Sequence, residues 1–215
     1  MSTRRLPVFL LLDTSGSMQG EPIHAVNAGL QSLVATLRQD PHALDSVYIS
    51  IVTFDIEVKE IVPLTALEDL TLPTITTPQS GATMLGAGLS FVCDKVVTEV
   101  RKTSADSKGD WRPLLFVMTD GKPSDTLAFQ EVIPRIKSSN FGSVVACAAG
   151  PKADAASLGK ITDNVVHMDT MDSATFSKFF AWVSSTINQG SSSVGAANSV
   201  TLPPPPPEVI CIDAD

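Results

Sequence analysis

The sequence predicts an α/β domain in which a doubly wound, mainly parallel sheet carries helices on both of its faces. Apolar and β-branched segments alternate along the chain with segments of helical periodicity, the order found in parallel sheets joined by crossover helices. Several apolar runs lack polar alternation, as expected of strands that are buried on both faces. With 215 residues, 43% of them hydrophobic, the chain suffices for one domain with a sizeable core and a tail.

The first half of the chain is predicted to contain three strands and two helices. Strands are predicted over residues 7–12, 46–54 and 58–64, and helices over residues 21–37 and 84–101. Pro22 suits the first turn of its helix, and Asp40-Pro41 stops that helix. One short antiparallel edge strand is expected, and Pro63 marks the third strand as an edge or a strand end, because proline donates no ladder hydrogen bond.

The second half is predicted to continue the same alternation. Strands are predicted over residues 113–119, 143–149 and 165–168, and helices over residues 126–139, 153–160 and 173–187. Pro134 lies inside the first of these helices and is expected to kink or break it. We expect Ser173 to cap the amino end of the last helix, since serine favours that position.

The composition changes near residue 188. The chain is therefore divided into a domain of residues 1–188 and a tail of residues 189–215, which is rich in Ser and Gly and then in Pro. Ser and Gly favour a flexible linker, while Pro203–Pro207 favours a polyproline II rod, either a ligand for an aromatic groove or a spacer. Residues 208–215 could add a strand to an edge of the sheet or remain frayed.

Charge and cysteine use narrow the setting. The formal net charge of −8 argues against nucleic acid and membranes as partners, since binding to both depends on positive protein charge. Three widely spaced cysteines without a CxxC pair predict a reducing, cytoplasmic compartment. The apolar run after Arg4-Arg5 is shorter than the roughly 7–15 residues of a signal-peptide core, and no stretch approaches the roughly 18 apolar residues of a membrane span.

Five side chains with oxygen donors are predicted to form a metal site. Asp13, Ser15 and Ser17 alternate in the loop after the first strand, so all three can point toward one position. Thr83 stands just before a helix, and Asp120 directly follows a buried strand. In an open parallel sheet, ligands collect beyond the carboxyl ends of the strands. Two carboxylates and three hydroxyls, without His or Cys, favour a hard cation, Mg2+ first and Mn2+ or Ca2+ next.

The composition of this donor set also predicts what the site does. Two carboxylates neutralise one divalent ion, but if either acts through water, the ion keeps Lewis acidity and an open position. A carboxylate from an Asp or Glu of a protein partner would fill that position. We therefore predict a cation-dependent protein-binding module and not an enzyme.

Three motifs give the chain a resemblance to a known family. Asp13-Thr14-Ser15-Gly16-Ser17 matches the DxSxS motif of von Willebrand factor A (VWA) domains. Thr83 and Asp120 match the second and third motifs of the metal-ion-dependent adhesion site (MIDAS) of that family. The resemblance covers roughly residues 5–188 and implies the Rossmann-like VWA fold and metal-dependent adhesion to a protein.

A second resemblance concerns the segment of residues 108–121. This segment, KGDWRPLLFVMTDG, is similar to bacterial tellurium-resistance proteins of the TerY type. That similarity implies a role in tellurite resistance and the stress response, beside a kinase and a phosphatase partner. The proline-rich tail has no counterpart in the domain pattern.

Two other functions are open to the same first loop. A Mg2+-dependent phosphohydrolase of haloacid dehalogenase type also starts its site with an Asp at the end of a first strand. Its chemistry needs a second Asp two residues later as acid and base, and position 15 is Ser here. The chain could also be a structural scaffold in which the metal is incidental.

Other polar residues are assigned no ligand role. Asp125 is interpreted as a solvated acid at a helix start rather than as a sixth ligand. Asp55 and Glu57 could lie near the site but are interpreted as exposed acids. The three histidines lack ligand spacing: His24, His42 and His167.

Overall fold

A computed structural model describes residues 4–78, 81–192 and 202–212 of the chain. The strands are β1 (Leu6–Asp13), β2 (Val47–Phe54), β3 (Val58–Ala66), β4 (Leu114–Thr119), β5 (Ser143–Ala149), β6 (Val165–Met168) and β7 (Val209–Ile212). The helices are α1 (Glu21–Leu37), α2 (Pro41–Ser46), α3 (Leu85–Glu99), α4 (Thr126–Ser138), α5 (Ala155–Leu158) and α6 (Ser173–Ser192). A single 3-10 turn, Gly16–Met18, lies between β1 and α1.

The strands form one sheet in the order β3-β2-β1-β4-β5-β6-β7. The five inner strands run parallel, and the two outer strands, β3 and β7, pair antiparallel with their neighbours. The predicted α/β class with a mainly parallel sheet is confirmed. The predicted antiparallel edge strand carrying Pro63 is also present. Proline is tolerated there because an edge strand does not need every backbone N–H for pairing within the sheet.

The sheet has a core on each face because its central strand is apolar on both sides. Every residue of β1 is buried. Val8, Leu10 and Leu12 join the cluster that includes α1 and α6, while Phe9 and Leu11 join the cluster that includes α3 and α4. Successive side chains of a strand point to opposite faces, so β1 anchors both helical layers to one sheet.

Three of the differences from the sequence prediction concern helices α2, α4 and α6. An additional helix, α2, follows Asp40, whose side chain accepts hydrogen bonds from the backbone N–H groups of His42 and Ala43. The N–H of Thr175 in α6 bonds to Asp172 and not to Ser173, which itself lies in the first turn. Helix α4 runs through Pro134 without a break. Pro134 is exposed, so water can satisfy the carbonyl that loses its partner there.

The polyproline segment folds back onto the domain. The indole Nε1 of Trp182 in α6 donates to the carbonyl of Pro203 at 2.9 Å, and Lys178 forms an ion pair with Glu208. Val209 is buried in the core, and β7 pairs with β6. Residues 209–212 thus add a strand to the sheet, and α6 continues to Ser192. The division of the chain at residue 188 stays a prediction.

No helix within the described ranges is both long and apolar enough to cross a membrane.

Replacing Gly86 by Ala tests the contact between α3 and α4. A Cβ at Gly86 would lie 2.3 Å from the backbone nitrogen of Phe129, so two helix backbones must separate. We expect Gly86→Ala to lower the free energy of unfolding by about 2 kcal/mol or more. Urea denaturation checks this against Gly159→Ala, where the nearest atoms lie 3.6 Å away and we expect a change within about 0.5 kcal/mol. Equal effects of the two substitutions would contradict the close contact.

Candidate metal centre

The predicted ligands come from loops that meet at the carboxyl ends of the inner parallel strands, which form one edge of the sheet. Strands β1 and β4 are parallel neighbours, with Leu12 opposite Met118. Asp13 ends β1, and Asp120 follows β4 directly. Parallel pairing therefore places both carboxylates at the same carboxyl edge.

Asp13 is the buried anchor of the site. Its side chain is fully inaccessible to solvent. Oδ1 accepts a hydrogen bond from the backbone N–H of Ser15 at 2.8 Å, and Oδ2 accepts one from the hydroxyl of Thr119 at 2.5 Å. Both carboxylate oxygens are thus held by the protein. The sequence assigns no role in the site to Thr119 and predicts it only as the last residue of a strand.

A line of hydroxyl groups connects the buried part of the site with the surface. The hydroxyls of Ser15 and Ser17 lie 3.2 Å apart, and Ser17 Oγ donates to Oδ1 of Asp120 at 2.8 Å. Ser15 and Asp120 are buried, whereas Ser17 is exposed. The donor set therefore opens to solvent on the side of Ser17, where an external ligand can approach.

Thr83 is fixed beside the loop that contains Asp120. Its backbone N–H donates to the hydroxyl of Ser124 at 3.1 Å, and its carbonyl accepts from the N–H of Ser124 at 2.8 Å. A Cβ at Gly121 would lie 3.2 Å from Oγ1 of Thr83, so the hydroxyl passes close to the backbone just after Asp120. The structure thus brings together all five residues that the sequence selected.

Burial sets the electrostatics of both acids. Desolvation raises the pKa of Asp13, opposed by hydrogen bonds from Ser15 and Thr119, and the nearby charge of Asp120 raises it further. Desolvation also raises the pKa of Asp120, opposed by the hydrogen bond from Ser17 and the charge of Lys152. A cation beside these carboxylates would favour their ionised forms. The site is therefore electrostatically suited to a positive ion.

The chemistry of the donor set fits a hard divalent cation. Two carboxylates and three hydroxyls offer oxygen alone, and such sets suit Mg2+, Mn2+ or Ca2+. In the ranges that the structure describes, no three His, Cys, Asp or Glu side chains cluster in a way that could hold a metal.

Asp55 supports the site from the neighbouring strand, contrary to the expectation that it is exposed. It is buried, and its Oδ2 accepts from the hydroxyl of Thr14 at 3.0 Å. Its carbonyl accepts from the N–H of Met84, directly after Thr83. Asp55 thus links the first loop with the start of α3. Glu57, by contrast, is exposed as expected and pairs with Lys59.

Asp125 also has a structural position that the sequence did not reveal. It was interpreted as a solvated acid, but its carboxylate accepts hydrogen bonds from the N–H groups of Gly86 and Ala87. Its carbonyl accepts from the N–H of Phe129 in α4. Asp125 therefore joins the beginnings of α3 and α4. This contact orients the two loops that carry Thr83 and Asp120.

Replacing Asp13 by Asn tests the energetic cost of the buried charge. Burial raises the folded-state pKa of Asp13 above its ordinary value of 3.8. The folded state is therefore free of this penalty below pH 3.8 and loses stability as pH rises through the higher folded pKa. In EDTA we expect Asp13→Asn to be more stable than wild type at neutral pH, with the difference vanishing below pH 3.8. Urea midpoints measured across this pH range check the expectation.

The exposed acid Asp163 supplies the matched control for this measurement. Asp163→Asn removes an exposed carboxylate outside the site and should have the urea midpoint of wild type in EDTA at neutral pH. Excess Mg2+ should reverse the order of wild type and Asp13→Asn. An Asp13→Asn chain less stable than wild type in EDTA at neutral pH would contradict the assignment of a destabilising charge.

Comparisons with known proteins give the fold a family. The sequence profile of the von Willebrand factor type A domain matches residues 8–181, whereas no curated protein matches the chain. Proximal thread matrix protein 1 from the mussel byssus is 18% identical, covers 86% of this chain and 48% of its own, and superimposes with a TM-score of 0.62. A von Willebrand factor type A protein from Catenulispora acidiphila is 17% identical, with the match covering 87% of this chain and 43% of that protein, and superimposes with a TM-score of 0.65.

Another structure of the mussel protein has a zinc-occupied MIDAS motif. It is 17% identical, the match covers 86% of this chain and 48% of the mussel protein, and the TM-score is 0.60. This chain thus spans about half the length of these relatives or less, and identities so low show the shared fold alone. The family profile, in contrast, matches most of the sequence. The protein belongs to the von Willebrand factor type A domain family.

Proposed function

We propose that this domain is a protein-binding module that depends on a divalent cation. The cation is held by Asp13, Ser15, Ser17, Thr83 and Asp120, and a carboxylate of a protein partner completes its coordination. One observation carries the proposal: oxygen donors from three loops converge at one edge of the sheet, with the hydroxyl of Ser17 on the exposed side.

The residue at position 15 favours binding over catalysis. A haloacid dehalogenase-type phosphatase requires a second acid there to exchange a proton with the leaving group. Ser15 is instead a buried hydroxyl that contacts Ser17. Mg2+-dependent release of phosphate that disappears in Asp13→Ala would identify a phosphatase instead.

Mg2+ is the cation that we propose, with Mn2+ and Ca2+ as alternatives. Oxygen ligands favour all three ions, and five protein donors with one partner carboxylate give the six ligands of the octahedral geometry that Mg2+ requires. The related mussel protein with zinc in its MIDAS motif supports a divalent ion at this position of the fold. Zn2+ therefore belongs among the ions to be measured.

The setting that we propose is cytoplasmic, in a stress or tellurite-resistance response beside a kinase and a phosphatase. This part of the proposal is supported by the similarity of residues 108–121 to TerY-type proteins. The cysteines are compatible with it, because Cys93, Cys147 and Cys211 are all free thiols.

Removal of either carboxylate should weaken cation binding. We expect calorimetric titration of wild type with Mg2+ to give a single site, and Asp13→Ala and Asp120→Ala to bind at least about tenfold more weakly. Asp163→Ala removes an exposed acid and should bind as wild type does. Unchanged Mg2+, Mn2+, Ca2+ and Zn2+ affinities in both site variants would refute the assignment of the ligands.

Partner capture should depend on the cation. We expect affinity capture from lysate to retain a set of proteins on wild-type domain in Mg2+ that is absent in EDTA and absent with Asp13→Ala. Asp163→Ala provides the matched control and should retain the same set. Equal capture with and without EDTA would favour a structural scaffold with an incidental metal over the proposed mechanism.

A further inference from the structure

A cavity lies near the amino ends of the parallel strands, at the opposite end of the sheet from the candidate metal centre. Its volume is about 610 Å3, within the range of cavities that bind small ligands or short peptide segments. It is lined by Arg4 before β1, by the end of α3 and residues after it, by residues 110–113 before β4, and by the end of α4. The six residues of β4 separate it from Asp120, a span of roughly 20 Å.

The charge of this cavity is opposite to that of the whole chain. Five cationic side chains line it: Arg4, Arg101, Lys102, Arg112 and Arg135. Among the lining residues that the structure describes, Asp110 is the one carboxylate, and both of its oxygens accept hydrogen bonds from Arg5. Arg135 also pairs with Asp94 on α3. Because the chain carries a net charge of −8, a cluster of this kind is a local reversal of charge that concentrates anions.

Arg4 is held in place before any ligand arrives. Its guanidinium carbon lies 3.7 Å from the centre of the Trp111 ring. Its Nε donates to the carbonyl of Gly109 at 2.7 Å, and its Nη2 donates to the carbonyl of Asp110 at 3.0 Å. A cation fixed by stacking and hydrogen bonds loses little conformational freedom when it binds an anion.

The wall formed by α3 is apolar. Val96, Val97 and Val100 line the cavity from this side, and Val97 is 67% exposed. Pro113 lines it from the lead into β4. An exposed branched side chain beside a cationic cluster suits a ligand that has both acidic and apolar groups.

We propose that this cavity binds an acidic peptide segment of a partner protein, in which carboxylates flank an apolar side chain. The cations come from four separate parts of the fold, so a ligand with several separated negative charges uses more of them than one compact anion does. The apolar side chain would contact Val97 and its neighbours. Nucleic acid also combines many charges with apolar groups, but a long polyanion extends beyond this local cluster over the surface of a chain with a net charge of −8, whereas a short acidic segment does not.

The test uses fluorescein-labelled hexapeptides of the form Glu-Asp-X-Z-Asp-Glu, in which X and Z are varied among apolar residues. Binding to the full chain is measured by fluorescence anisotropy in EDTA, so that carboxylates cannot bind through a metal at Asp13 and Asp120. Matched probes are the same peptides with Gln and Asn replacing the acids, and a thymidine hexanucleotide. We expect acidic members of the panel to bind and their affinity to fall as salt is raised.

Charge reversal at the rim should remove this binding. Arg101 and Lys102 are exposed, and we expect Arg101→Glu combined with Lys102→Glu to weaken binding at least about tenfold without changing the urea midpoint. Val97→Asp should weaken it as well, whereas Lys160→Glu, an exposed site outside the cavity, should not. Equal binding of the neutral peptides, equal binding of the rim variants, tighter binding of the oligonucleotide, or no binding by any acidic peptide would each overturn the proposal. Because the assay contains EDTA, its failure leaves the metal-dependent function untouched.

Discussion

The hydrogen bond from the hydroxyl of Thr119 to the carboxylate of Asp13 joins the ends of two neighbouring parallel strands. The geometry of the candidate site depends on this contact. It fixes the orientation of a fully buried acid at the end of β1 and ties the first loop to the loop that carries Asp120. Asp55 and Asp125 extend the same kind of support, since each links two segments through hydrogen bonds at this edge. The oxygen donors are therefore held by a shell of other polar groups.

Such an arrangement has an energetic cost in the absence of a counterion. Two carboxylates are removed from water, and burial raises the pKa of both. A cation that binds the folded chain and not the unfolded chain recovers part of this cost, so that binding and stability become linked. Without a cation, the folded chain therefore carries two buried carboxylates whose negative charge is not neutralised at this site.

The sequence predicted most of the fold because the inner strands are apolar on both faces and the helices have clear periodicity. Strand β5 was predicted with its observed bounds, and β1 within one residue at each end. The acids were harder to place. Asp40 and Asp172 accept hydrogen bonds from backbone N–H groups two or three residues further along the chain, as helix caps do. Asp55 and Asp125 also accept hydrogen bonds from Thr14 and Gly86, which lie 41 and 39 residues away in the sequence, and such partners are present only when the chain has folded.

At the candidate site too, some residues could be predicted from the sequence and others could not. The five predicted ligands could be selected because small oxygen donors follow two apolar strands and precede one helix. Thr119 could not be distinguished from a strand residue, since its role depends on the register between β1 and β4. Strand β7 was left open, because four residues after a proline run carry too little pattern to name the edge that they join.

The antiparallel pairing of β7 with β6 determines how the sheet would respond to a pulling force on Ile212. Ile212 lies opposite Val165, the first residue of β6, whereas Val209 lies opposite Met168 at its end. Strand β7 therefore ends beside the amino ends of the parallel strands, whereas Asp13 and Asp120 lie at their carboxyl ends. A force that pulls Ile212 away from Asp13 and Asp120 would run lengthwise along the strands. Such a load shears the backbone ladder between β6 and β7 as a unit, where a sideways pull would open its hydrogen bonds one after another.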